Sequence, residues 1–594
     1  MSEIDALLDT AFNEYNCGNF ETAEELGRRV LSIEPTHGDA LYLLGLIAFQ
    51  AGALEPASKL LYQAVKLYPD SAGYTLALAS VLHRQGHLDE ALSFYEKHKT
   101  NPIVLSQMGL IYAQKGQDEW AKSAFLEALK LDNTVSEASV GLAALYGRQG
   151  NLSQAEIVLS EAEKNAPSAD VFYRLAQIYR LTNRLDVADV YIEKSLNLMV
   201  NAIYLNEKGL ILEALGDNDK ALEIYLQATE ADKYYADSFA NLGNIYLKKR
   251  LFDKAEDAYK RALALDKDFF SAHHNLASLL YKQNRKGEAL NHYQEAVILE
   301  PKNLSAIYNL AVILEDLGEF SEAAGLYFNA LTQGMKNKAL DFRIESTLRA
   351  LYQIDKEGKK QALDFAKGWV KHFPDSVVAN HTLDIFSGKK TADMNSYSEQ
   401  LYDVFADEYD EKMHMLQSNV LDTAMSMLKE KKFKNVLDLA CGTGGFASKL
   451  KNNFNLIIGV DISKKMLDKA SNINIYDKLV HQSIQDYLNK TKQKFDLIAA
   501  LDVTGYLDTL VDLFQGVQAH LTKNGVFLFS VETPVTDKAY ELALNGRYVY
   551  AQDYVQKELH KNGLSIVDIK EIDLRREGDS FAKGIIVLAK KDTE

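Results

Sequence analysis

Apolar positions along the chain follow one period up to about residue 375 and another beyond it. In the first region they fall at the three- and four-residue spacing of amphipathic helices, and the pattern recurs about every 34 residues as a pair of helices. The first helix of each pair carries one small residue at a fixed phase: Ala11, Gly45, Ala79, Gly109, Ala143, Ala176, Gly209, Gly243, Ala277 and Ala311. The second helix carries an alanine in the same phase, from Ala23 and Ala57 to Ala289 and Ala323. Small residues there let helices approach closely. Glycine often closes the first helix, as at Gly18, Gly52, Gly86, Gly116, Gly150, Gly216 and Gly318, where a left-handed residue ends a helix without strain. Large side chains such as Tyr95, Phe125, Tyr225, Tyr259 and Tyr327 are spaced to fill the groove between helices. About ten repeats follow this pattern. An eleventh, with Ala350, Ala362 and Pro374, is offset by a longer insertion and caps the array.

Beyond Pro374 that period ends. A bridge, SGKKTADMNSYSEQ, leads into a helical pattern, YDVFADEYDEKM, and then to β-type runs at 435–439, 456–460, 479–482, 495–500, 526–531, 566–572 and 584–588, with helical segments in most gaps. Strands alternating with helices predict one doubly wound α/β domain. The expected organisation is an all-α repeat superhelix over 1–376, a linker over 377–396, and a seven-stranded Rossmann-like domain over 397–594. A superhelix of this kind offers a concave binding groove, so the chemistry belongs to the sheet domain.

Charge narrows the range of partners. Lys+Arg total 66 against 83 Asp+Glu, a formal charge of −17, and most of the excess acidity lies in the array. No basic cluster stands out, so neither a nucleic acid nor an anionic membrane surface is expected as a partner. The only cysteines, Cys17 and Cys441, fall in different regions, which excludes a disulfide framework. No apolar run approaches the roughly 18 to 20 residues that span a bilayer, and MSEIDALLDT lacks the layout of a secretory signal. The expected location is the cytoplasm.

The chemistry-bearing signal is the first strand and its turn, VLDLACGTGGF. Taken alone, the stretch from Gly442 to Ala447 also fits a relaxed dinucleotide pattern, and Asp461, at the end of the second strand, could accept ribose hydroxyls from either cofactor type. Asp438 separates the two. Its carboxylate precedes the turn, where a pyrophosphate would meet a like charge and a sulfonium with an α-ammonium would be attracted. That favours S-adenosylmethionine.

With these residues in place, the repeats resemble the tetratricopeptide repeat, and the second domain resembles the class I S-adenosylmethionine-dependent methyltransferases. The segments YDVFADEYDEKM, GVFLFSVE, GRYVYAQDYVQKEL and LRREGDSFAKGIIVLAKK are similar to those of bacterial predicted methyltransferases fused to tetratricopeptide arrays. The resemblance implies that Asp438, Gly442 and Gly444 form the methionine-binding turn, with Ala440 in place of the strict pattern's first glycine. It implies Asp461, followed by Ile462, at the ribose, Gln485 and Asp486 at the adenine edge, and Asp502 and Tyr506 beside the acceptor. It also implies a lid helix carrying Tyr402, Phe405 and Tyr409. Each has a structural alternative: Asp461 as a helix cap, Asp486 as a solvated loop acid, Asp502, Tyr506 and Glu532 as polar residues at strand ends, and the three aromatics as core.

Methyl transfer needs alignment and exclusion of water more than an enzyme nucleophile, so Asp502 would act as base only for an acceptor that must lose a proton. Asp502-Val503-Thr504-Gly505-Tyr506 lacks the Asn/Asp-Pro-Pro-aromatic turn of amine methyltransferases, and neither cysteine is placed to attack cytosine. No spacing argues for a metal. In the array, Asn241, Asn275 and Asn309 share one repeat position and would form a carboxamide ladder for an extended peptide, resembling that of O-linked N-acetylglucosamine transferases. The expected function is an S-adenosylmethionine-dependent methyltransferase whose array recruits a protein. The alternatives are a small-molecule or glycan acceptor with the array used for assembly, and a non-catalytic scaffold.

Overall fold

A computed structural model describes residues 3–429, 431–450, 453–577 and 580–592. Two compact units compose the chain, Met1–Leu279 and Leu280–Glu594.

The first unit is built of paired antiparallel helices, from Glu3–Asn16 with Phe20–Ile33 to Ala236–Lys248 with Phe252–Leu265. Where the small residue of the first helix is Gly45, Gly109, Gly209 or Gly243, it faces the large residue of its second helix. A Cβ added to Gly109 would lie 2.6 Å from the Phe125 ring, one on Gly209 2.3 Å from Tyr225, and one on Gly243 2.6 Å from Tyr259. Those rings are buried, so the close approach is what the apolar burial rests on. The left-handed turn persists even where its glycine does not: Asn183, Arg250 and Asn284 take the position with φ of 59°, 59° and 62°.

The second unit continues the helix pairs through Leu304–Leu317 with Phe320–Thr332 and the longer pair Lys338–Ile354 with Lys356–His372. The stretch expected as a linker is largely helical. Val377–Ser387 buries Val378, Ala379, Thr382, Ile385 and Phe386 at helical spacing and stops at Gly388, whose φ is 65°. Helix Met394–Phe405 then begins inside the expected linker, because Asp393 caps it by accepting from the Ser396 N–H.

The sheet that follows contains β1 (Phe433–Leu439), β2 (Phe454–Asp461), β3 (Lys478–His481), β4 (Phe495–Ala500) and β5 (Leu521–Glu532). A separate hairpin, β6 (Tyr540–Leu542) and β7 (Tyr548–Tyr550), precedes β8 (Leu564–Glu577) and β9 (Ser580–Lys591). The order is β3-β2-β1-β4-β5-β9-β8, with β1 to β5 parallel and β9 antiparallel to both neighbours. Apolar runs such as Val436–Leu437 and Leu497–Ile498 are buried on both faces, as helix-covered parallel strands require. The seven expected strands all fall in this sheet. The hairpin was not expected, although its Asn545-Gly546 pair is a strong local turn signal. Of the terminal motif LRREGDSFAKGIIVLAKK, Gly578 and Asp579 lie outside the described residues. Among the described residues no helix is long and apolar enough to cross a membrane.

A buried polar cluster joins the last helix pair to the sheet domain. The Tyr397 hydroxyl donates to the Glu345 carboxyl at 3.0 Å. His381, completely buried, is held near pKa 3 by burial and by the Arg349 charge, so it stays neutral. Its Nε2–H donates to the Gly546 carbonyl at 3.2 Å, which leaves Nδ1 to accept from the Thr391 hydroxyl at 2.6 Å.

Candidate active site

Strand order reverses between β1 and β4, and the crevice at their carboxyl ends is where ligands bind in open α/β sheets. Two residues with side chains adopt left-handed backbone there: Ala440 after β1, with φ 55°, and Asp502 after β4, with φ 54°. Such conformations cost about 1 to 3 kcal/mol and cluster at functional sites. Gly442 and Gly444 continue the first turn with φ of 55° and 94°. A Cβ on Gly444 would lie 2.4 Å from Ile473 Cδ1, so that glycine serves the turn's packing, and it lines neither of the cavities that flank Ala440.

Three adjoining cavities open at this crevice. The first, about 270 Å³, is lined by Asp438, Ala440, Cys441, Gly442, Asp502, Tyr409 and His414, among others. The smallest, about 40 Å³, is lined by Asp461, Ile462, Gln485, Asn395 and Tyr506 and shares Ala440 with the first. The remaining one, about 250 Å³, shares Asp502, Tyr409 and Met413 with the first and is lined by Tyr402, Phe405, Arg349 and Arg547. The geometry therefore brings together every expected cofactor residue except Gly444 and Asp486. Asp486 is exposed and accepts from the Ser483 hydroxyl at 2.9 Å, while its own N–H donates to Ser483 Oγ, so it closes the cap of its own helix.

Electrostatics sets the character of the first cavity. Asp438 is 3% exposed, and burial pushes its carboxyl up to about 7, with the Tyr476 hydroxyl, 2.6 Å away, pulling the other way and Asp461 adding to the rise. Burial also raises Asp461, against the backbone N–H groups of Ser463 and Gly442, each donating to it at 2.8 Å. Neither carboxyl has a lysine or arginine ion pair among the described residues. Two uncompensated buried acids make the crevice favour a cation. Cys441 beside them is pushed well above the usual thiol range by burial and by both acids, so it is no nucleophile.

The expected lid is two helices, Met394–Phe405 and Tyr409–Met415, separated by a short 3₁₀ turn. Polar latches hold them to the crevice: the Ser463 hydroxyl donates to Asp403 at 2.7 Å and the Thr443 hydroxyl to Asp410 at 2.6 Å. The Tyr402 ring packs edge-on against Tyr409 and Tyr506, with centroids 6.0 and 5.4 Å away. Asp502 has its N–H on Ser530 Oγ at 2.7 Å, and burial raises its pKa against the nearby charges of Arg547 and Arg575.

Sequence reasoning missed Tyr476, Asp403, Asp410, Arg349 and Arg547. Tyr476 fits because Gly459 on β2 leaves room for its ring. In the repeats, Asn241 donates to Asn206 at 3.0 Å and Asn275 to Asn244 at 2.8 Å, while Asn244 also donates to Asn241. Those carboxamides are half-buried and partnered, and Asn309 is half-buried and engaged as well.

Comparison with known proteins finds two kinds of match along the chain. Residues 409–568 match a family described as methyltransferase domain. Tetratricopeptide repeat families match residues 104–134, 169–198, 202–235, 236–269 and 274–338, and a family described as anaphase-promoting complex subunit 3 matches 16–98. A TPR repeat-containing protein of Methanocaldococcus jannaschii is 25% identical over 265 residues, 40% of this chain and 46% of that one. A malonyl-[acyl-carrier protein] O-methyltransferase of Enterobacter lignolyticus is 27% identical over 149 residues, 25% of this chain and 58% of that one. The chain thus spans about half the length of the curated relatives it matches. The crystal structure of an S-adenosylmethionine-dependent methyltransferase from Clostridium acetobutylicum is 23% identical with a TM-score of 0.26, covering 32% of this chain and 100% of that one. The chain joins an array of tetratricopeptide repeats to a methyltransferase domain.

Proposed function

We propose that the chain is an S-adenosylmethionine-dependent methyltransferase whose repeats recruit a protein or peptide. The observation that carries the cofactor reading is the pair of buried, uncompensated acids, Asp438 and Asp461, on either side of the left-handed turn at Ala440 and Gly442. They fit a ligand with a cationic amino-acid end and a ribose, and they disfavour a pyrophosphate. Asp438 would hold the ammonium group, Asp461 the ribose hydroxyls, and Ile462 and Gln485 the base, with Tyr402 and Tyr409 closing over them. When bound, the cofactor supplies a methyl group on a sulfonium. Asp502 lines both the first and the 250 Å³ cavity, and Tyr506 both the 250 Å³ and the smallest; there they would orient the acceptor, and Asp502 would take up a proton if the acceptor loses one.

A second reading, in which the acceptor is a small molecule and the earlier repeats serve assembly, is favoured by Arg349. This residue of the last long helix pair lines the acceptor cavity. A non-catalytic scaffold would have no use for two costly buried acids in that crevice. The deciding experiment is calorimetric titration of the full chain with S-adenosylmethionine and with NAD, followed by incubation with methyl-labelled cofactor in cell extract. Binding of NAD and not of S-adenosylmethionine would overturn the cofactor reading. Label confined to small molecules would overturn the protein-acceptor reading.

A further inference from the structure

The 250 Å³ cavity beside Asp502 is lined by three arginines, Arg349, Arg547 and Arg575, and by Lys412, of which Lys412 is paired with Glu408 at 3.1 Å and Arg575 with Glu532 and Glu577. Among the described residues the Arg547 side chain makes no ion pair or hydrogen bond; its guanidinium lies over the Tyr506 ring, 5.1 Å from the centroid. Among the described residues Arg349 donates only to the main-chain carbonyl of Asn545. The charges of Asp502 and Glu532 reach Arg547, yet among the described residues no acid forms an ion pair with Arg547 or Arg349. Glu532 accepts from Arg575 and from Asn545, both at 2.7 Å, and Arg575 is satisfied by Glu532 and Glu577. Glu345 is completely surrounded by protein, accepts from Tyr397, and is raised by burial; Asp502 is raised by burial as well. The rest of the wall combines Leu401, Phe405, Met413 and Leu416 with the rings of four tyrosines.

An open guanidinium fork in a partly desolvated cavity is unfavourable until an oxyanion meets it, and its planar geometry matches a carboxylate. We propose that this cavity takes an acceptor with a carboxylate at one end of an apolar body, the carboxylate held by Arg547 and Arg349. This rests on the methyltransferase reading of the neighbouring cavity. The carboxylate is a handle: its lone pairs are engaged by the guanidinium groups, and the atom that receives the methyl group lies at the boundary formed by Asp502, Tyr409 and Met413. Arg349 belongs to the Lys338–Ile354 helix and Arg547 to the β6–β7 hairpin, so the last repeat pair builds part of the substrate site. Gly546 makes the juxtaposition possible, because its φ is 82° and a Cβ there would stand 3.1 Å from Arg349.

The test is titration calorimetry of the full chain with benzoate and hexanoate against their neutral amides, benzamide and hexanamide, with and without saturating S-adenosylhomocysteine. At least one acid is expected to bind tenfold or more tightly than its amide. Arg547→Gln and Arg349→Gln are each expected to erase that preference while leaving S-adenosylhomocysteine affinity within twofold. Equal binding of acid and amide, no binding of either acid, or an acid preference that survives both substitutions overturns the proposal. Phenyl phosphate outcompeting benzoate overturns the carboxylate assignment in favour of a phosphate ester. The wild-type comparison needs no variant to fold. Failure of the cofactor reading appears separately, as absent S-adenosylhomocysteine binding, and the acid–amide comparison without that ligand still decides the handle.

Discussion

Asp438→Asn preserves the shape of the side chain and removes its proton equilibrium. In the folded chain the carboxyl titrates near 7, against 3.8 for an unburied aspartate. The sign follows from proton binding. Between these values the folded state keeps a proton that the unfolded state has released, so wild-type stability falls as pH rises through this window and levels off above about 7. At about 1.36 kcal/mol per tenfold change in proton affinity, the full loss is about 4 kcal/mol. Asparagine escapes that loss, and its carbonyl oxygen still accepts from Tyr476. The variant is therefore expected to match wild type near pH 4 and to exceed it by about 2 kcal/mol or more at pH 8, the lower figure allowing for an amide buried less well than a protonated acid. It is also expected to lose most S-adenosylmethionine affinity, because the acid that attracts the ammonium is gone. Wild-type affinity should weaken by up to about tenfold per unit of pH below 7, since the ligand must displace a proton there. The assay is hydrogen-exchange protection of the β1 amides in the full chain at several pH values, paired with calorimetric titration. Wild type and variant with the same stability at pH 5 and pH 8, or a variant that keeps full affinity, would refute the assignment of Asp438 as a raised, ligand-facing acid.

Three further outcomes are expected. Asp461→Asn should weaken S-adenosylhomocysteine binding at least tenfold, because charge-assisted hydrogen bonds contribute about 1.5 to 3 kcal/mol; unchanged affinity in a folded variant would leave Asp461 as a cap for Ser463 and Gly442 alone. Gly444→Ala should cost about 2 kcal/mol, from the positive φ and the clash with Ile473, and denaturant unfolding indistinguishable from wild type would show that the turn relaxes freely. Amide exchange over residues 398–414 should slow when S-adenosylmethionine is added, as the ligand fills the crevice beneath the segment that Asp403 and Asp410 latch, so that it opens less often; identical exchange with and without the ligand would mark a static core segment.

The amino-acid sequence determined the elements because each is written in local periods. Paired Gly109 and Phe125, or Gly243 and Tyr259, announce close helix contacts, and the apolar runs of β1 and β4 announce strands buried on both faces. Its reading of the first turn as Asp438-to-Gly444 was equally local, since a left-handed turn needs particular residues at consecutive positions. Only the tertiary structure decided what those residues meet. Asp438 is raised because the sheet buries it beside Asp461, against the pull of the Tyr476 hydroxyl. Asp486 is turned away because Ser483 captures it. Asn241 and Asn275 spend their amides on asparagines of neighbouring helices. The cavity lined by Arg349 and Arg547 was the least legible feature, because Arg349 and the carbonyl it binds stand 196 residues apart, on a long helix and a hairpin turn. No local period records such a pairing. It exists because burial of Glu345, His381 and Tyr397 fastens the last helix pair against the sheet domain, and that is a property of packing alone.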